Sequence, residues 1–157
     1  MNKNYINVYN NLIKFSRNKK LFSIFTKEDS FSDRLIIFLL HFGFFLKIYK
    51  NNENQQKMQN IYDYIFKQLE LSIREIGYGD VTINKKMKTY INTFYSILGK
   101  IDNWENLSIS EKGKIISSYL NNNGITLNLV DYFNNYLSNL SNNTLNSYIK
   151  GVIKPKI

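Results

Sequence analysis

The sequence predicts an all-α protein, a compact bundle of five or six helices. Three observations carry that prediction. Apolar side chains recur at intervals of three and four along most of the chain, the period of a helix face rather than of a strand. The apolar fraction is 43% and includes 11 Phe and 12 Tyr, enough to favour a packed core over disorder. At 157 residues the chain has the size of one domain with a continuous core, and no internal repeat divides it.

The first 27 residues hold six cations, Lys3, Lys14, Arg17, Lys19, Lys20 and Lys27, before the first acid at Glu28. Within them YINVYNNLIKF has the pattern of a short amphipathic helix. Three uses stay open for it: covering the core, lying on an anionic membrane, or serving as an organellar targeting sequence, which its single arginine argues against. Residues 1–30 are therefore set apart as a basic N-terminal segment, with a short peripheral helix, from a helical domain at 31–157.

In SFSDRLIIFLLHFGFFLKIYK, Ser32 or Asp33 is the expected N-cap. Residues 35–46 carry no formal charge at neutral pH. A membrane-crossing helix needs about 20 mainly apolar residues, and Arg34 and Lys47 close this run too soon. Leu35, Phe38, Leu39, Phe42, Phe45 and Leu46 form one broad face, while Ile37, Leu40, Phe44 and Ile48 make most of the remainder apolar. Such a helix is normally the centre of a bundle; the alternative is that part of it forms an exposed groove for a hydrophobic client. His41 sits among Ile37, Phe45 and Ile48, which suits a buried, hydrogen-bonded histidine better than a metal ligand lacking companions.

After NNENQQKMQN, a second helix presents Ile61, Ile65, Leu69, Ile73 and Ile76, with Asp63–Lys67 and Glu70–Arg74 spaced as supporting i,i+4 pairs. Gly77 fits the left-handed position that ends a helix. Thr82 is the expected cap of the next helix, where Met87, Tyr90, Ile91, Phe94 and Leu98 recur before Gly99. Trp104 reads as an anchor over a junction. Ser108 and Glu111 offer a capping box to SISEKGKIISSYL. Leu127, Val130, Phe133, Leu137 and Leu140 give TLNLVDYFNNYLSNL its apolar face, and a final short turn begins near Thr144 and stops before Gly151 or Pro155.

The net charge is +9, from 21 basic and 12 acidic residues. It favours nucleic acid, anionic lipid or an acidic partner without choosing among them, and 24 asparagines with lysine replacing most arginine also fit a plain compositional bias. With no cysteine, neither a disulfide framework nor a thiolate metal site is available. The single histidine argues against a zinc enzyme, and no cofactor is expected.

SIREIGYGDVTINKKMK poses a specific problem. If a helix begins at Thr82, then Lys85, Lys86 and Lys88 fall in its first turns, where the macrodipole disfavours positive charge. Arg74 ends the preceding helix, so a tight reversal through Tyr78 and Asp80 brings four cations toward one edge. That edge can face phosphate, a lipid headgroup or a carboxylate-rich partner; the competing reading is simple solvation, with Asp80 neutralising one lysine. GYGD lacks the flanking pattern of a dinucleotide site and the GK[ST] ending of a phosphate loop. A hydrolase using Glu75, Asp80 or His41 requires those groups to converge in one pocket. No zinc-finger, homeodomain or RNA-recognition signature is present, and DNA is not an expected partner. A helical RNA- or ribosome-binding factor acting through the basic face around residues 74–88 remains an alternative, because basic side chains contact phosphate without reading bases.

LLHFGFFLKIYK, then LSIREIGYGD, then VTINKKMKTYINTFYSIL together resemble the ubiquinol-cytochrome c chaperone family over residues 31–101. The most specific part is Arg74-Glu75-Ile76-Gly77-Tyr78-Gly79-Asp80, followed by Lys85-Lys86-Met87-Lys88 and Phe94-Tyr95. The resemblance implies an all-helical, non-enzymatic assembly factor that engages nascent or immature cytochrome b and promotes formation of the respiratory bc1 complex. It implies a setting on the cytoplasmic side of a bacterial inner membrane or the matrix side of a mitochondrial one, with a small assembly partner, the ribosome and the anionic membrane surface as further contacts. Carried onto this chain, the family-like loop is Arg74 through Asp80 with Lys85, Lys86 and Lys88 after it, and Phe94 and Tyr95 are packing residues. From the basic edge that loop forms, Arg74, Tyr78, Asp80, Lys85, Lys86 and Lys88 are the expected partner-binding residues. Ser96, where the family often has arginine or glycine, and the Asn-rich tail depart from the pattern and bear on the outer surface.

Overall fold

The computed structural model of the chain describes residues 5–18, 21, 31–120 and 126–152. Lys3, Lys19, Lys20, Lys27, Glu28 and Pro155, and the side chains of Ser32 and Leu127, lie outside the described set. Among the described residues the elements are α1 (Tyr5–Ser16), α2 (Phe31–Tyr49), α3 (Gln55–Glu75), α4 (Asp80–Ile101), a 3-10 turn (Trp104–Asn106), α5 (Ile109–Ser117), α6 (Thr126–Ser141) and α7 (Leu145–Ile149). The all-α bundle is as expected. Its count rises to seven because the opening segment and the closing turn both form helices.

The axis is α2, packed against α1, α4 and α6. Its apolar residues point in all directions and find cover in all of them: Leu35, Ile37, Phe38, Leu39, Leu40, Phe42, Phe44, Phe45 and Leu46 are buried. Each phenylalanine reaches a different neighbour. Phe38 meets Tyr9 of α1, Phe42 stacks on Phe94 of α4 at 5.1 Å, Phe44 lies between Phe133 of α6 and Trp104, and Phe45 meets Tyr148 of α7. Little of this helix stays open to solvent: Leu35 and Phe38 line a small pocket of about 90 Å³ with Tyr9, Ile13 and Leu69, and Leu46 reaches the edge of a cleft beside α4. Asp33 lies in the first described turn rather than at a cap.

Close approach of α2 and α4 depends on Gly43. A Cβ there would lie 3.1 Å from Ile97 Cγ2 and 3.2 Å from Ile101 Cδ1, tighter than ordinary contact in a close-packed interior. Nothing in the periodicity singles this glycine out.

In α3, Ile61, Ile65, Leu69 and Ile73 are buried, but Ile76 is the C-cap and 54% exposed, because the helix ends before the apolar stripe does. Lys67 pairs with Glu70 at 2.9 Å, and Asp63 instead accepts a hydrogen bond from Gln59. Helix α4 starts at Asp80, not Thr82, and runs through Gly99 to Ile101.

Trp104 is buried, and its indole N–H donates to Asn134 Oδ1 at 2.9 Å, tying the 3-10 turn to α6. Ser108 and Glu111 form the expected capping box of α5, and Thr144 caps α7. Helix α1 lays Val8, Leu12 and Phe15 into the core, so core cover is the use the structure supports for it. Asn7 of α1 donates to the Ile149 carbonyl at 2.9 Å, against Gly151, whose φ of +74° ends α7.

Gly43→Leu is expected to lower stability by about 1 to 3 kcal/mol through overpacking. The reading is a lower urea midpoint with an unchanged denaturant slope; an unchanged midpoint would mean that α2 and α4 are not held at this separation.

Candidate functional site

The corner between α3 and α4 is built from two glycines and one ion pair. Gly77 takes a φ of +104°, where a side chain would strain the backbone, and its N–H donates to the Arg74 carbonyl at 3.0 Å. Gly79 is extended (φ −73°, ψ 162°) and begins α4 without a side-chain cap. Across the corner, Arg74 Nη1 contacts Asp80 Oδ1 at 2.5 Å and the same guanidinium lies 3.8 Å from Glu70. The hydrogen bond to Asp80 raises the Arg74 pKa above its usual value, and a hydrogen bond from Lys67 lowers that of Glu70.

The lysine problem dissolves with the helix start at Asp80. Lys85, Lys86 and Lys88 then lie in the second and third turns, and macrodipole effects fade beyond the first. Asp80 occupies the first turn, where negative charge is favoured. It is committed to Arg74, so it does not neutralise a lysine. None of the three lysines makes an ion pair among the described residues.

The six site residues expected from the sequence are not one cluster. At about 100° per residue, Lys85 and Lys88 share the outward face of α4 with Val81, opposite buried Ile83 and Met87. Lys86 turns to the flank, its Nζ 4.8 Å above the Tyr78 ring. Arg74 and Asp80 are joined to each other. Beside these, three apolar side chains stand in solvent: Ile76 at 54%, Tyr78 at 42% and Val81 at 71% exposure. The sequence pattern does not place Ile76 and Val81 at the surface; that follows only from where α3 stops and α4 starts.

A second feature lies along α4. A cleft of about 310 Å³ opens where the end of α2 and the start of α3 meet α4; Leu46, Met58, Tyr62, Tyr95 and Leu98 give it an apolar side, and Lys50, Gln55 and Gln59 a polar one. Phe94 packs in the core as expected, stacked on Phe42. Tyr95 does not: it is 59% exposed, its ring 6.3 Å from that of Tyr62. Burial raises the Tyr62 pKa, with Tyr95 adding to the effect. Ser96 Oγ lies 2.6 Å from the Tyr119 hydroxyl, which links α4 to the chain just past α5.

His41 is spent structurally. It is fully buried, with Nδ1 2.7 Å from the Ile37 carbonyl and Nε2 2.6 Å from the Tyr132 hydroxyl. A carbonyl only accepts, so Nδ1 carries the proton and Nε2 accepts from Tyr132. Burial lowers the His41 pKa to about 4, the backbone hydrogen bond only partly opposing it. With His41 in the core, Glu75 exposed and Asp80 bound to Arg74, the three groups considered for hydrolysis do not converge. Among the described residues no cluster of His, Cys, Asp and Glu could hold a metal ion, and no helix is long and apolar enough to cross a membrane.

The ubiquinol-cytochrome C chaperone family model matches residues 24–154, which include the corner, the cleft and the whole of α2. The chain belongs to the ubiquinol-cytochrome C chaperone family. In structure this chaperone is similar to the Cbp3 homolog from Brucella abortus, with a TM-score of 0.76 at 20% identity, over 98% of this chain and 89% of that one. That breadth brings α1 into the shared fold, although the family match begins after it. Among curated proteins, none matches the chaperone in sequence.

The His41 environment sets a pH dependence. The folded-state pKa lies below the unfolded value of 6.5, so this contribution to stability is complete above pH 6.5. It declines as the pH falls toward about 4, by about 3 kcal/mol over that interval, and is constant below. In His41→Gln this component is expected to vanish, leaving a flatter difference between urea midpoints at pH 7 and pH 5; an unchanged difference would place the titration elsewhere.

Proposed function

We propose that this chaperone binds newly synthesised cytochrome b and promotes its entry into the ubiquinol-cytochrome c reductase (bc1) complex without catalysing a reaction. The observation that carries the reading is the family match across residues 24–154. Its setting is the inner-membrane surface, on the cytoplasmic side in a bacterium or the matrix side in a mitochondrion. The ribosome and a small assembly partner are further proposed contacts.

The geometry supports a division of labour. Of the six expected residues, Tyr78 with Lys86 and the outward Lys85 and Lys88 offer the docking surface, and Arg74 and Asp80 hold each other across the corner. The Arg74–Asp80 pair is exposed and adds about 1 kcal/mol at most; its use is to fix the direction of the reversal. The cleft at Tyr62 and Tyr95, which Leu46 of α2 also lines, shields an apolar stretch of the client. Shielding such a stretch lowers the exposure of aggregation-prone surface while the client waits for its partners.

A helical RNA- or ribosome-binding role is the second reading, and the unpaired lysines are the observation that favours it. Phosphate contacts would weaken steeply with salt through counterion release, and RNase treatment of the native complex would dissolve them.

The test is capture of the chaperone from native membranes during cytochrome b synthesis. Co-purification of immature cytochrome b is expected, surviving RNase and reduced in a Lys85→Glu, Lys86→Glu, Lys88→Glu variant. Because those lysines have no ion-pair partners among the described residues and only Lys86 makes a cation–π contact, with Tyr78, the variant should keep its stability within about 1 kcal/mol. Tyr95→Ser should weaken capture independently of charge. No cytochrome b in the captured material would overturn the reading, and loss on RNase treatment would favour the second.

A further inference from the structure

We propose that the α3–α4 corner is an anchor for an anionic bilayer surface, with Ile76, Tyr78 and Val81 entering the headgroup region and Lys85, Lys86 and Lys88 held at the phosphates. This names the partner of the docking corner and rests on the function proposed above.

The shape of the corner decides between a bilayer and a folded partner. Every residue from 74 to 82 is exposed, and a Cβ added at Gly77 or Gly79 would meet nothing within 4 Å. The corner is a convex tip with no walls to grip a peptide or a base. A bilayer accepts a convex tip, because lipid rearranges around it. The chemistry has the matching order. The apolar side chains sit at the reversal, and on the outer face of α4 Lys85 follows Val81 by four residues and Lys88 by seven, which places them about 6 and 10 Å further along the helix. Interfacial elements bury their apolar face to about 5–10 Å, with lysine stems reaching back to the headgroups.

Charge supports the same partner. Residues 74–88 contain four cations against two carboxylates. One of those carboxylates, Asp80, is tied to Arg74, and Glu75 stands exposed at the end of α3. The three lysines are left for anionic headgroups, which attract basic side chains within about a Debye length. Lys86 lies over the Tyr78 ring, so the aromatic side chain and a cation arrive at the interface together.

The test uses the full chain and vesicles of phosphatidylcholine with or without phosphatidylglycerol. Trp104 is the sole tryptophan and is buried, so a Tyr78→Trp variant adds a reporter at the tip over a quiet background. Co-sedimentation with the anionic vesicles is expected, with a blue shift in the fluorescence of the introduced indole that neutral vesicles do not cause. Lys85→Glu, Lys86→Glu, Lys88→Glu should lower partitioning by at least about tenfold. Ile76→Ser with Val81→Ser should leave weaker binding that is fully lost at high salt. Circular dichroism checks that both variants fold.

Vesicle binding without the blue shift would assign the membrane contact to another part of the chain and overturn the proposal. So would indifference to anionic lipid, or tight binding of polyuridylate in place of vesicles. If vesicle binding fails while cytochrome b is still captured, the anchor is wrong and the chaperone reading stands; if vesicles bind and capture fails, the anchor stands and the chaperone reading is wrong.

Discussion

A 19-residue helix that is apolar on every side has to be enclosed, and the rest of the molecule follows from enclosing α2. Amphipathic helices suffice for this, because each needs only one apolar face to cover part of the axis. Helices α1, α4 and α6 supply the main cover, and Tyr148 of α7 closes over Phe45. The exception inside the axis is His41, whose polar ring must be satisfied where water is absent. Tyr132 answers it, and the same hydroxyl accepts from Asn18 Nδ2 at 3.1 Å. Asn18 Oδ1 in turn accepts the Leu21 N–H at 3.1 Å. One buried chain of hydrogen bonds thus joins the end of α1, the middle of α2 and the middle of α6, setting a register that apolar contacts alone leave loose.

The near-complete enclosure of α2 leaves little of its apolar surface for a client. A chaperone that shields an apolar client needs apolar surface to offer, and the most apolar element offers it only near its ends, through Leu35 and Phe38 in one pocket and Leu46 in the cleft. What remains lies at the periphery, in the tip of Ile76, Tyr78 and Val81 and in the tyrosine-lined cleft beside α4. Helix α4 serves both. Its inner face holds Ile83, Met87, Phe94, Ile97 and Ile101 against the bundle, and its outer face carries Val81, Lys85, Lys88 and Tyr95. Lysine on that outer face can be changed without touching the core, so the proposed docking can be probed there without disturbing the fold.

The core was legible in the sequence because burial imposes a period. Leu35, Phe38, Leu39, Phe42, Phe45 and Leu46 are buried as the 3.6-residue repeat requires, and the burial of His41 follows from its apolar surroundings. The Ser108 capping box and the glycine ending at Gly77 were legible as local chemistry. Helix ends were harder. Thr82 is a better cap by composition than Gly79, yet the chain starts α4 at Asp80, because the ion pair with Arg74 and the first-turn acid both favour that start. From this shift of three residues in the cap come the altered positions of the lysines and the exposure of Val81. Tyr95 departs from the expected packing role for a different reason: its neighbour Phe94 takes the core position, and adjacent helix residues point about 100° apart. Gly43 carried no signal, since a close approach of two helices is a property of the pair.

The abundance of asparagine bears on why the lysines stay unopposed. Few asparagines enter the core; Asn11 and Asn18 are the buried ones among the described residues. Several others satisfy backbone or side-chain groups at helix ends. Between α2 and α3, Asn51 Oδ1 accepts from the N–H groups of Glu53 and Asn54, while Asn54 Oδ1 accepts from Asn51 and its amide donates to the Tyr49 carbonyl. Asn134 accepts from the Trp104 indole and from Lys112. Aspartate could accept at most of these sites, and would bring negative charge with it. An amide does the same local work uncharged, so a fold whose turns are held by asparagine keeps its excess of cations available to an external anion. A compositional bias, whatever its origin, therefore has a physical consequence at the α3–α4 corner, where Asp80 opposes Arg74 and the three lysines beyond it meet no acid among the described residues.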